Sequence, residues 1–145
     1  MQFDRDDGRR RERRKTPVGL WLPLVAWVAV MLFFSSVPDP GAVLGPDILT
    51  LGDAVLHGGG FLLFMILLCR AVSFKTGAFG LRPIGWAFLI CAAYGLLDEV
   101  HQIFIPGRGF AWSDWGADVG GAVIGGIVVL VVGGVMQRKR TQPAS

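Results

Sequence analysis

The chain has 145 residues, 52% of them hydrophobic and only 17% charged, with a formal net charge of +3 and a mean hydropathy of +0.54. A soluble chain of this length cannot hide so much apolar side chain from water, so the composition excludes an ordinary soluble domain and points to a lipid-solvated one. The charge is modest and its distribution says more than its size.

Seven of the 14 basic residues fall in the first 15 positions: Arg5, Arg9, Arg10, Arg11, Arg13, Arg14 and Lys15. A basic tail of this kind is found on nucleic-acid-binding proteins. Here Asp4, Asp6, Asp7 and Glu12 dilute it and an apolar run follows at once, so residues 1–17 read as a cytoplasmic anchor, with no nucleic-acid partner expected.

A helix crossing roughly 30 Å of hydrocarbon needs about 20 mostly apolar residues. Residues 18–37 supply 20 without a charge. This stretch is longer than the apolar core of a secretory signal peptide, and the following SSVPDPG offers no clear cleavage site, so the expectation is an uncleaved span. A second span covers 54–74, with His57 near one end and Arg70 near the other. The third runs over about 84–105, uncharged through Leu97 and then opening into DEVHQ. The fourth covers about 115–136 and carries Asp118 in its first turn. Because backbone groups must be satisfied internally in lipid, apolar runs of this length select helices over barrel strands. The expected fold is an all-α, four-helix transmembrane bundle spanning residues 18–136, followed by a basic tail at 137–145. Cys69 and Cys91 lie in apolar runs without a CxxC partner and read as packing residues.

Lys and Arg in the connections set the orientation. The N-terminal tail has seven, the first loop none, the second loop three (Arg70, Lys75, Arg82), the third only Arg108, and the C-terminal tail three (Arg138, Lys139, Arg140). The alternation places both termini in the cytoplasm of a multi-pass protein of the cytoplasmic (inner) membrane, with the first and third loops outside.

This topology gathers Asp53 and His57, then Asp98, Glu99, His101, Gln102 and Arg108, and finally Asp114 and Asp118 at the outer face. Helical neighbours three and four apart share a face, so Tyr94, Asp98, His101 and Gln102 form one stripe with Glu99 turned about 100° away. Asp98 lies about 14 residues, or roughly 21 Å, into the third span. A charge at a span's centre costs about 2.5–3.5 kcal/mol on insertion scales and usually faces a bundle interior or a wet cavity. The fourth span is rich in glycine, and Gly121 and Gly125 make a GxxxG step that lets backbones approach closely.

Residues 98–126, DEVHQIFIPGRGFAWSDWGADVGGAVIGG, closely resemble the signature of the VanZ-like family of bacterial membrane proteins. Asp98, Glu99, His101, Gln102, Phe104, Pro106, Gly107, Arg108, Asp114 and Asp118 carry the resemblance, with weaker matches at Ser36, Pro38, His57 and Tyr94, and it covers about residues 18–135. Two positions depart from the pattern: Asp53 stands near a position where the family often has Lys, and Asp118 where it often has Asn, so both add negative charge. The family is named after a member linked to teicoplanin resistance, so the resemblance implies the cell envelope as the place of action and glycopeptide sensitivity as a trait to examine.

Three functions compete on these residues. In the first, the outer cluster binds or modifies a lipid-linked envelope precursor or an anionic lipid. Asp98, Glu99 and His101 are then the catalytic candidates, with His101 or Glu99 as general base and Asp98 orienting the histidine. His57, Tyr94, Gln102, Arg108, Asp114 and Asp118 are the binding candidates, with Arg108 suited to bidentate contact with phosphate or carboxylate. Ser113 is the sole outer nucleophile candidate and lies in a loop, which favours acid–base chemistry or binding over a covalent intermediate. In the second, the protein binds a partner without chemistry, with Phe110, Trp112 and Trp115 as an interfacial shelf or an ordinary aromatic belt, and the charges tie helix ends together. In the third, His57, Asp98, His101 and Asp118 hold a metal or relay protons. The sequence leaves cofactors unassigned.

Overall fold

A computed structural model describes residues 17–45, 52–76 and 80–141. The described residues contain helices and no strand: α1 (Pro17–Ser36), α2 (Pro40–Leu44), α3 (Asp53–Thr76), α4 (Leu81–Gln102) and α5 (Trp112–Thr141). All but the short α2 are long and apolar enough to cross a membrane. Large apolar side chains point outward on each of the four, among them Leu22, Val55, Leu89 and Val131. Their outward faces are therefore solvated by lipid rather than water, and the chain is a multi-pass membrane protein.

The helix ends follow local chemistry. Asp39 caps α2, its Oδ1 accepting from the backbone N–H groups of Gly41 (2.9 Å) and Ala42 (3.3 Å), with Pro40 at the first helical position. α4 stops at Gln102, three residues short of the sequence expectation, although the chain stays apolar through Ile105. Beyond it Ile105–Arg108 forms a turn closed by the Arg108 N–H on the Ile105 carbonyl at 3.1 Å. Pro106 and Gly107, the latter at φ 82°, suit the two central positions of a type II turn. α5 starts at Trp112, earlier than expected, because residues 112–114 add a helical turn before the apolar run.

α3 and α5 form the most extensive interface of the bundle, with α4 packed on both and α1 on α3 and α4. Glycine makes the α3–α5 contact possible. A Cβ on Gly121 would run into the carbonyl of Gly58, and one on Gly125 would come within 2.7 Å of the Leu62 carbonyl. On the other side, a Cβ on Gly58 would lie 3.3 Å from the Ala117 carbonyl. The GxxxG step of α5 thus packs directly against the backbone of α3, the kind of close contact that such steps permit. Below it the core holds Phe61, Phe64, Met65, Cys69, Cys91 and Ala122. Both cysteines are buried and free, with Cys91 Sγ 3.9 Å from Met65 Sδ. α1 is tied to α3 by the Trp27 indole N–H on the Gly60 carbonyl (3.0 Å), and toward the opposite end by Arg70 on the Gly19 carbonyl (3.3 Å).

The glycine contact makes a sharp prediction. Gly121→Ala should destabilise the protein by about 1–3 kcal/mol or more through overpacking against backbone that cannot yield, whereas Gly120→Ala, with open space at the Cβ position, should be tolerated. Thermal unfolding of the two variants in detergent checks this.

Candidate functional site

The polar residues collect at one end of the bundle, where α3 and α5 begin and α4 ends. His57 is four residues into α3, or about 6 Å, and Asp118 is six into α5, or about 9 Å. Asp98 is four residues, about 6 Å, from the end of α4. The site therefore occupies the last turns of the helices.

Because Gly58 meets Gly121, the residues flanking this contact are held in register. His57 Nδ1 lies 3.1 Å from Asp118 Oδ1, the one ion pair among the described residues. Asp118 is wholly buried, and its Oδ2 has no hydrogen-bond partner among the described residues. That oxygen sits against α4 where Gly95 lacks a side chain; a Cβ there would be 2.9 Å away. An ionised carboxylate only accepts, so Nδ1 donates and Nε2 of a neutral His57 keeps its lone pair.

Glu99 is also wholly buried. Its Oε2 accepts the Ala111 backbone N–H at 2.7 Å, pinning the loop that leads into α5, and its Oε1 accepts a longer bond from Gln102 Nε2 at 3.4 Å. The same Gln102 amide donates to Asp98 Oδ2 at 3.1 Å, so one buried glutamine bridges two carboxylates. One donor atom each from His57, Glu99 and Asp114 lie within 4.8 Å of one another. Asp114 also accepts from the Ser113 hydroxyl at 3.1 Å.

His101 faces the other way. Its Nε2 is 3.1 Å from Ser36 Oγ on α1. The Ser36 hydroxyl spends its single proton on the Leu32 carbonyl at 2.7 Å, so Nε2 of His101 is the donor in that pair. Asp98 bonds Gln102 rather than His101; the histidine oriented by a carboxylate is His57, held by Asp118. The expected stripe is accordingly divided. Tyr94 packs with Phe61 and Phe64, at centroid distances of 6.0 and 5.3 Å. Asp98 and Gln102 line a cavity, and His101 reaches α1. Glu99, placed off the stripe by helical counting, points into the bundle.

The cavity, about 450 Å3, lies between α1, α3 and α4. Trp27, Met31, Phe34 and Leu63 form much of its wall, and Asp53, His57, Asp98, Gln102 and Arg108 add polar groups. The turn after α4 carries Arg108 back over α1, where Nη1 donates to the Phe34 carbonyl at 3.0 Å. No carboxylate pairs with this guanidinium among the described residues. His57 thus stands between two compartments: the cavity on one side and the acidic cluster of Glu99, Asp114 and Asp118 on the other. Phe110, Trp112 and Trp115 form an edge-to-face row at 4.7 and 5.9 Å, and the Trp115 indole donates to the Ala92 carbonyl at 3.1 Å.

Sequence reasoning named the residues but not their pairings. In the sequence Ser36 is only a match to the family pattern, and nothing singles out Ser35, which is buried at the cavity wall with a hydroxyl that has no partner among the described residues. A pair of serines closing an apolar span just before a Pro-rich loop is the signal that would have drawn attention to them.

No curated protein and no solved structure matches this chain. The family described as VanZ/LLP1 matches residues 20–133, a range that takes in most of α1, all of α2 to α4, the polar end and most of α5. The chain belongs to the VanZ/LLP1 family.

Proposed function

We propose that the protein binds an anionic, lipid-linked component of the cell envelope in the cavity beside α1, with the polar end facing away from the cytoplasm. The observation that carries this reading is the pairing of an apolar-walled cavity of about 450 Å3 with Arg108 at its wall. The volume falls in the range of small-molecule sites, and the walls suit an acyl or prenyl chain. Among the described residues Arg108 donates to one neutral carbonyl, which leaves the rest of its donor fork for a phosphate or carboxylate. Asp53 and Asp98 share the cavity wall, and they favour a ligand that brings hydroxyl or amine donors beside its anion. Envelope precursors built from a lipid, an acidic group and a sugar or peptide have this chemistry, which is the route by which the protein would influence glycopeptide sensitivity.

Chemistry on that ligand would fall to Asp98, which of the three catalytic candidates is the one at the cavity wall; His101 is bonded to Ser36 on α1, and Glu99 is enclosed and bonded to backbone. A second reading has its own observation. Glu99 on Ala111, His101 on Ser36 and Arg108 on Phe34 each join two elements, which supports a network that ties helix ends.

The orientation rests on the Lys and Arg distribution. Because both native cysteines are buried, Asp39→Cys should react with a membrane-impermeant maleimide on intact cells, while Ser145→Cys should react only after permeabilisation. The reverse pattern overturns the orientation.

The ligand reading predicts that the purified protein carries a lipid with phosphate or carboxylate, identified by mass spectrometry. A charge-assisted hydrogen bond contributes about 1.5–3 kcal/mol, so Arg108→Ala should lower its retention about tenfold to a hundredfold, with thermal stability near wild type. A variant that fails to accumulate, with Arg108→Lys restoring accumulation but no lipid on the wild type, supports the structural network instead.

A further inference from the structure

The acidic compartment beyond His57 has a chemistry that binding at Arg108 does not use. Glu99, Asp114 and Asp118 bring three carboxylates to one imidazole, from the end of α4 and the start of α5. Among the described residues no Lys or Arg is paired with any of them. Glu99 and Asp118 are wholly buried and Asp114 is half-buried beside them, and carboxylates gathered so at the end of a membrane bundle are stabilised by a counter-charge. One imidazole does not balance three.

We infer that His57, Glu99 and Asp114 bind a divalent first-row metal ion, with Asp118 holding His57 in place as a ligand. The three donor atoms already converge within 4.8 Å of one another from three different segments of chain. Ligands bound at about 2.1 Å to one ion lie roughly 3–4 Å apart, so side-chain rotations of about 1 Å close the set. The Asp118–His57 hydrogen bond of 3.1 Å fixes the ring, protonates Nδ1 and leaves Nε2 as the metal-binding nitrogen. Wholly buried Asp118, whose Oδ2 has no partner among the described residues, is an independent sign of a local shortage of positive charge. Ser113 on Asp114 and Ala111 on Glu99 orient two of the ligands in the same way.

One imidazole and two carboxylates form a nitrogen–oxygen donor set that suits zinc, manganese or ferrous iron, and three protein ligands leave a coordination position open. His57 also lines the cavity, so the ion would sit at its far wall. The inference stands whether or not an anion occupies the cavity.

The test uses the full chain, purified in detergent with a tag free of histidine, stripped with chelator and titrated with Zn2+. Bound metal is measured by mass spectrometry after desalting. Wild type should hold one Zn2+ per chain. Asp118→Asn should weaken it by about 10–100-fold, as loss of an outer hydrogen-bond partner does; Glu99→Gln and Asp114→Asn should weaken it at least as much. Asp39→Asn, an exposed carboxylate outside the cluster, should bind as wild type does. Should the cluster variants not fold, X-ray absorption of zinc-loaded wild type decides: one imidazole with oxygen neighbours is expected. No retained zinc, equal binding by all variants, or a shell with sulfur or two imidazoles overturns the assignment.

Discussion

The close approach of α3 and α5 at Gly58 and Gly121 is the constraint on which the rest of this end of the bundle depends. Lipid provides no hydrophobic force to push helices together, so small residues that bring backbones into van der Waals contact supply the attraction. The approach has a chemical consequence beyond stability. His57 immediately precedes Gly58, and Asp118 lies three residues, just under one turn, before Gly121. Once the glycines meet, the imidazole and the carboxylate are within hydrogen-bond distance, and α4 covers the acid, where Gly95 makes room for it, while the imidazole keeps one edge on the cavity. A longer interhelical distance would leave Asp118 a buried and wholly unpaired charge.

From that pair the end of the bundle divides into two environments. Toward α1 lies a mostly apolar cavity with Arg108 at its wall, placed there by the Pro106–Gly107 turn. Toward α5 lies a compact set of acids around His57. Gln102 connects them, donating one amide group to Asp98 at the cavity and to Glu99 in the cluster. A change of charge in one compartment is therefore felt in the other through a short, buried hydrogen-bond path. The aromatic row of Phe110, Trp112 and Trp115 lies at the same level, where ring faces and indole N–H groups are ordinarily placed at a membrane interface.

Much of this was legible in the sequence, for reasons that can be named. Apolar length alone identifies four spans, because the hydrocarbon thickness is fixed. Helical spacing groups residues by face, but it does not say which face turns inward; hence Glu99, assigned away from the polar stripe, is wholly buried, and His101 in the stripe reaches α1. Pairings between helices, such as His57 with Asp118 across 61 positions, depend on register that no local pattern encodes. The end of α4 at Gln102 was obscured by Ile103–Ile105, which are apolar but not helical. The α2 turn did carry a signal, Asp39 followed by Pro40, of the kind that caps a helix start.

In this arrangement His57 and Asp118 act as one unit within the α3–α5 contact. A double-mutant cycle measures that directly, using His57→Gln, Asp118→Asn and the double variant, with unfolding free energies determined in detergent. A buried charge-assisted pair should show a coupling of about 1.5–3 kcal/mol, so that the second substitution costs little once the first is made. Strictly additive losses would mean that the two side chains are neighbours without being partners.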